Sequence, residues 1–236
     1  NNLESGTTYN IAVQVIDAAG NINSVSQSIE TEVAERTMQE IIAGYNIGNR
    51  GSFSTPYTST TTNTVFTTSD WKGTSYYFAG APTDNWVRFG GFYWRIVRVN
   101  GDGSVRLIYN GTSTTTTGTG TMINNGATQV FNSSYNRSEY VGLKYTSGEQ
   151  HGQTTDSPIL NILQSWYTSS NLDDYADYID TSVGFCSDRN MASGSSWNST
   201  GSYHGYAAYG RLYTNKSPSL LCNSSDIIKE PVGLIT

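Results

Sequence analysis

Residues 86–109 read WVRFGGFYWRIVRVNGDGSVRLIY, and no other stretch constrains the fold as tightly. Two aromatic and β-branched runs are separated by Asn100-Gly101-Asp102-Gly103, residue types that tolerate positive φ and so mark a tight turn. The first run alternates. Phe92, Trp94 and Ile96 fall on one face, with Tyr93, Arg95, Val97 and Val99 on the other. In the second run Val105, Leu107 and Tyr109 oppose Arg106 and Ile108. The pattern predicts a long antiparallel hairpin in the middle of a sheet. Both of its faces carry bulky residues, so both are covered at least in part. The expected class is α+β and β-rich.

Composition narrows the setting. Of 236 residues, 36% are hydrophobic and only 14% charged, with 24 Gly, 17 Tyr and 5 Trp. Such an uncharged, Ser/Thr/Asn-rich surface is that of an extracellular β-rich protein. The 12% aromatic content and recurring core-forming runs argue against disorder for most of the chain. A net charge of −6 excludes a sequence-independent nucleic-acid binder, which needs a basic footprint. Arg88, Arg95, Arg98 and Arg106 cluster on the hairpin and are expected to flank the sheet or pair with carboxylates, phosphate binding being the alternative. No apolar run is long enough to span a bilayer. The opening NNLESGTTYN reads as the interior of a domain, which predicts a fragment of a longer secreted or anchored protein.

Cys186 and Cys222 are the two cysteines. An even count in this composition predicts one disulfide, against the alternative of two buried free thiols. His151 and His204 stand in no ligand spacing with them, so neither a metal nor another cofactor is expected.

Outside the hairpin the elements are shorter. Thr8 to Asp17 alternates, with Tyr9, Ile11, Val13 and Val15 on one face. Ala18-Ala19-Gly20-Asn21 turns, and Ser24 to Glu30 makes a second strand. Thr31 to Tyr45 shifts to helical spacing (Ala34, Met38, Ile41, Ile42, Tyr45), with Thr31 as N-cap. Residues 46–70 are Gly-, Ser- and Thr-rich and predict little packed structure beyond a short strand at Val65-Phe66. A turn at Lys72-Gly73-Thr74-Ser75 leads to a strand at Tyr76 to Ala79, and the Thr/Gly-rich stretch from Asn110 to Gly126 predicts a surface excursion or a recognition loop. Phe131 to Tyr135 and Tyr140 to Tyr145 suggest short extended pieces. Ser157 and Pro158 open a helix whose apolar face is Ile159, Leu160, Leu163, Trp166 and Tyr167. A second short helix follows from Leu172 to Ile179. Asp173, Asp174, Asp177 and Asp180 line its other side as a solvated face rather than a calcium loop. The closing Pro231 to Thr236 reads as a strand cut short.

Two resemblances follow from particular residues. Leu3-Glu4-Ser5-Gly6-Thr7-Thr8-Tyr9 with Val15-Ile16-Asp17-Ala18-Ala19-Gly20-Asn21 resembles the last two strands of fibronectin type III and related immunoglobulin-like repeats. A lone hairpin is marginal in water, so residues 1–30 are expected to be completed by other chain or to pack on the next domain. A second resemblance rests on Phe89-Gly90-Gly91-Phe92-Tyr93-Trp94-Arg95-Ile96, Leu160 to Tyr167, Tyr209 to Pro218 and Pro231 to Thr236. These are similar to bacterial surface domains of the C-type-lectin-like, formylglycine-generating-enzyme-like fold. The resemblances imply a partial sandwich at 1–30 and a lectin-like domain at 51–236, and the helical spacing between them is read as a linker helix at 31–50, the alternative being the first helix of the second domain. They also imply a cell-surface or pilus-associated location. Chemistry does not transfer with them. Calcium-dependent lectins use an E-P-N loop, where this chain has Glu230-Pro231-Val232, and the enzymes use a reactive cysteine pair, where Cys186 and Cys222 read as structural.

No nucleophile-elbow or phosphate-cradling motif is present in the sequence. Asp188, Asp226 and Glu230 are the carboxylates an acid–base enzyme would draw on. Binding fits better, because Tyr and Trp give rigid amphipathic contacts and Ser, Asn and Gly give adaptable hydrogen bonds. Trp197, Tyr203, His204, Tyr206 and Tyr209 are the candidate ligand-binding residues. The expectation is a non-enzymatic surface adhesin module that binds glycan or protein on another surface. The alternatives are a structural subunit of a surface filament, contacting neighbouring copies of itself, and an unrecognised enzyme.

Overall fold

The structure, a computed structural model, describes residues 7–16, 18–31, 36–134, 137–149, 152–193 and 206–234. It is a mixed α+β, strand-rich protein with several small sheets and few helices.

Strands β1 (Thr8–Ile16) and β2 (Ile22–Glu30) pair antiparallel in one unbroken register, from Thr8 opposite Glu30 to Ile16 opposite Ile22. Thr31 belongs with this hairpin. Its N–H donates to the Thr7 carbonyl at 3.1 Å, which extends the pairing by one step. Ile11, Ile16, Ile22 and Val25 on this hairpin are all exposed. Helix α1 (Met38–Ile42) starts six residues later than Thr31 as N-cap predicts, because a capping box fixes it: Thr37 accepts from the Glu40 N–H, and Glu40 accepts from the Thr37 N–H.

Strands β3 (Asn46–Ile47), β4 (Thr60–Thr61), β5 (Thr64–Asp70), β6 (Gly73–Tyr77), β7 (Ala81–Pro82), β8 (Trp86–Phe89), β9 (Phe92–Val99) and β10 (Val105–Tyr109) follow. The central sheet runs β10-β9-β6-β5-β3, with β8 also paired to β9, while β4 and β7 form a small parallel pair beside it. The expected hairpin is present as β9–β10, closed at Asn100 to Ser104 by two backbone hydrogen bonds. Its front portion divides at Gly90-Gly91, both at positive φ, where a two-residue turn folds β8 back along β9. The Thr-rich segment is a full seven-residue strand, not the short one predicted, since threonine's β-branch fits a pleated surface. The turn into β6 lies at Trp71-Lys72, earlier than predicted, where Asp70 accepts from the Lys72 N–H at 2.6 Å. Gly101 packs so closely on this turn that a Cβ there would lie 2.6 Å from the backbone of Lys72 and Gly73.

Strict alternation along β9 fails at one point. Leu107 pairs with Ile96 and Arg106 with Arg98, so Val97 is an extra residue that β10 does not match. The bulge turns Ile96 and Val99 to the same side, where they join Ile42 of α1 and Val65 of β5 in one core, with Val87, Val105 and Leu107 packed around them. It turns Arg98 to the opposite side, where ordinary alternation along β10 already places Arg106.

A second core forms around helix α2 (Pro158–Ser169), where Ser157 accepts from the Leu160 N–H as its cap. Leu160 and Leu163 meet Leu143 and Ile228, and Ile123 of the Thr/Gly-rich loop packs against them, so that loop is anchored rather than wholly a surface excursion. The 131–145 region is mostly irregular. Among its described residues the one strand, β11 (Lys144–Tyr145), pairs with β12 (Thr155–Asp156). Leu172 to Tyr178 form a 3-10 run, and Asp173, Asp174, Asp177 and Asp180 are exposed. Strand β13 (Phe185–Cys186) pairs with β14 (Ile227–Ile228), and α3 (Ala207–Tyr209) lies between them in sequence. Residues 231–234 are irregular and not a strand, with Val232 and Leu234 packed on the second core. Phe92, Trp94, Tyr109 and Trp166 join sheet to helix through ring centroids 5.1 to 6.4 Å apart.

Candidate ligand-binding cleft

The sheet face opposite the first core floors a cleft of about 1030 Å³. Phe66, Tyr77, Arg98 and Arg106 supply the floor, the 48–53 loop one side, and Phe185 to Asp188 with the 206–221 segment the other. The disulfide between Cys186 and Cys222, expected from the cysteine count, ties the base of that second side, with its Cα atoms 6.0 Å apart. The rim is apolar and open. Phe53 is 39% exposed, Leu212 47% and Leu221 63%, values that leave apolar surface facing solvent beside buried charge.

Of the two expectations for the hairpin arginines, pairing with carboxylates is not met among the described residues. Arg95 donates to the Pro82 carbonyl at 2.8 Å and to Asn85 at 2.6 Å and lies 3.7 Å from the centre of the Trp86 ring. Arg88 sits 6.0 Å from the Tyr93 ring. Arg106 donates to the Gly184 carbonyl and lies 4.3 Å from the Phe185 ring centre. Arg98 has its Nε buried with no hydrogen-bond partner. Burial, reinforced by the neighbouring Arg98 charge, lowers the Arg106 guanidinium to about 10. Burial also lowers Arg98, and the charge of Asp70 works against that shift. On the near side, Arg50 donates to the carbonyls of Ser52 and Thr55 and lies 4.6 Å from the Phe53 ring centre, which shapes the loop.

The predicted ligand-binding residues divide. Tyr206 lines the cleft, paired in a β-bridge with Met191, and burial pushes its hydroxyl up. Tyr209 does not line it; it is half exposed and stacks on Tyr213 at 4.9 Å. Trp197, Tyr203 and His204 lie outside the described residues, as does His151. The three candidate carboxylates are each committed to a cation. Asp188 pairs with Arg211 at the cleft, Asp226 lies 4.0 Å from the buried Arg189, and Glu230 meets Lys144 at 2.6 Å. Lys144 also bridges to Asp156 at 3.1 Å. Burial works against the ammonium, but the hydrogen bonds it donates to both carboxylates, with their charges, raise Lys144 overall. Among the described residues no three His, Cys, Asp or Glu side chains converge as a metal site.

Arg98, Arg106, Phe53, Phe185 and Leu212 are the lining residues that sequence reasoning missed. Arg98 and Arg106 carried a signal, since both flank the Asn100–Gly103 turn, but the bulge at Val97 sets the face they occupy. No helix is long and apolar enough to cross a membrane, among the described residues. No family model, no curated protein and no solved structure matches the chain.

Proposed function

We propose that the chain is a non-enzymatic extracellular recognition module, an adhesin-type domain of a bacterial surface protein with C-type-lectin-like architecture, that holds a protein or glycan ligand in this cleft. The observation that carries the reading is the cleft itself: a solvent-open hollow of about 1030 Å³ with an exposed apolar rim and a disulfide-tied wall. Its volume is at the upper end of ligand sites, roughly 300–1000 Å³. An exposed apolar rim is a common mark of a contact surface. The disulfide favours an oxidising compartment. Binding without turnover is supported by the commitment of Asp188 to Arg211, which leaves that carboxylate ill placed to exchange a proton with a substrate.

Arrays of immobilised glycans and of extracellular proteins test this reading. The full chain should give saturable hits. The double variant Leu212→Glu/Leu221→Glu, changed only at the exposed rim, should lose them by about tenfold or more while its thermal midpoint holds. Full retention by the variant would place recognition elsewhere.

A filament subunit is the second reading, and the exposed Ile11, Ile16, Ile22 and Val25 favour it. It predicts concentration-dependent assembly in sedimentation velocity that Ile22→Glu/Val25→Glu abolishes. A monomer at every concentration would remove it.

A further inference from the structure

Arg98 and Arg106 are direct cross-strand partners on β9 and β10, and both face the cleft. Like charges placed opposite each other on a sheet repel, and burial strengthens the repulsion. Yet neither guanidinium has a carboxylate within 4.0 Å among the described residues. Asp70 influences Arg98 from a distance, but its oxygens are already occupied by Ser75, Lys72 and Gly101. Arg106 has a carbonyl and an aromatic ring for company. The Arg98 Nε is buried and has no hydrogen-bond partner among the described residues. The chain as a whole carries −6, so this is a local positive floor in an acidic protein. Two planar guanidinium forks side by side match the oxygens of one carboxylate.

The rim decides what carries that carboxylate. Phe53, Leu212 and Leu221 line the same cleft as the arginines and are exposed. A sugar acid or inorganic phosphate would satisfy the floor and leave this apolar surface wet. A polypeptide segment with apolar side chains on either side of an acidic residue covers both.

We propose that the cleft takes an acidic, otherwise apolar peptide segment, its carboxylate seated between Arg98 and Arg106 and its apolar side chains against Phe53, Leu212 and Leu221. The proposal rests on the reading of the cleft as the recognition site and names its occupant. Calorimetric titration of the full chain tests it, with a short end-blocked peptide of leucine and phenylalanine carrying one central glutamate. Its glutamine counterpart, glucuronate and inorganic phosphate complete the set of probes. The glutamate peptide should bind saturably. The glutamine peptide, and the glutamate peptide on Arg98→Gln, should each bind at least tenfold more weakly. Arg98→Lys should recover part of the loss, and thermal unfolding of each variant checks that it folds. Equal affinity for the two peptides, with binding still lost in Leu212→Glu/Leu221→Glu, would overturn the carboxylate seat and leave the cleft reading standing. Tighter binding of glucuronate or phosphate than of the glutamate peptide would overturn the peptide assignment. No binding of the glutamate peptide at millimolar concentration would overturn the proposal, and the array result with the rim variant then judges the cleft by itself.

Discussion

Replacing Arg189 by methionine should cost about 3–5 kcal/mol of folding stability, the range for breaking one half of a buried charged pair. The Arg189 side chain is fully buried, and that of Asp226 beside it nearly so. At 4.0 Å the Nε–Oδ1 contact is long, and most of what Arg189 contributes comes from backbone. Its guanidinium donates to the carbonyls of Val141 at 3.1 Å, Gly152 at 3.3 Å and Lys144 at 3.4 Å. A single side chain thereby fastens Val141, Lys144 and Gly152 to one another and to the segment that carries Asp226. Methionine fills similar volume but donates nothing. Three carbonyls would lose a donor in a dry interior, each loss costing about 1 kcal/mol or more, and the Asp226 charge would lose its buried cation. For a protein of this size the thermal midpoint should fall on the order of 10 °C. The double variant Arg189→Met/Asp226→Leu should recover part of the loss, because it removes the stranded charge too. A loss under about 1 kcal/mol in Arg189→Met would mean that water reaches these carbonyls and that Arg189 is not an internal fastener.

What could be read from the sequence was what local chemistry dictates. Asn100-Gly101-Asp102-Gly103 can hardly do other than turn, and Ser157-Pro158 can hardly do other than start a helix; both elements stand where expected. Gly90-Gly91 carried an equally strong two-residue turn signal, but it was submerged in an aromatic run that looked continuous. Thr31 and Thr37 are equivalent as caps by residue type. Only the Glu three positions after Thr37 separates them, and it selects the later start. Thr64 to Ser69 looked like loop by composition, although threonine is as much a strand residue as valine when neighbours pack against it.

The cleft was illegible for a different reason. Its floor depends on one bulge. Under strict alternation, with Val97 matched in the ladder and no bulge, Arg98 would fall on the same side as Ile96 and would sit in the first core. What holds the bulge is contributed from outside the hairpin, where the Val97 carbonyl accepts from the Phe78 N–H at 3.0 Å and Ile96 donates to Asn85 at 2.7 Å. Its walls come from residues 48–53, 185–188 and 206–221, which no periodicity links. Aromatic density drew attention to the region around Tyr206. It could not separate Tyr206, turned into the cleft, from Tyr209, stacked on Tyr213 at the surface.

Breaking the disulfide with Cys186→Ser/Cys222→Ser should lower stability by about 4 kcal/mol in the chain-entropy account, for a separation of 36 residues. The loss should be uneven through the molecule. Cys186 stays anchored without the bond, because β13 pairs it with Ile227 and the Ser187 N–H donates to Asp226. Cys222 has no such ladder. The described residues just before it, Ser219 to Leu221, are irregular and form part of the cleft wall. Removing the bond therefore frees the wall before it loosens the sheet. Limited proteolysis under native conditions should cut the variant first between positions 186 and 222, while residues 60–109 stay protected. Affinity for whatever the cleft holds should fall with the loss of its tied side, even where the sheet remains folded. If the first cuts fell inside the central sheet instead, the bond would be fastening the whole fold and not one side of a cleft.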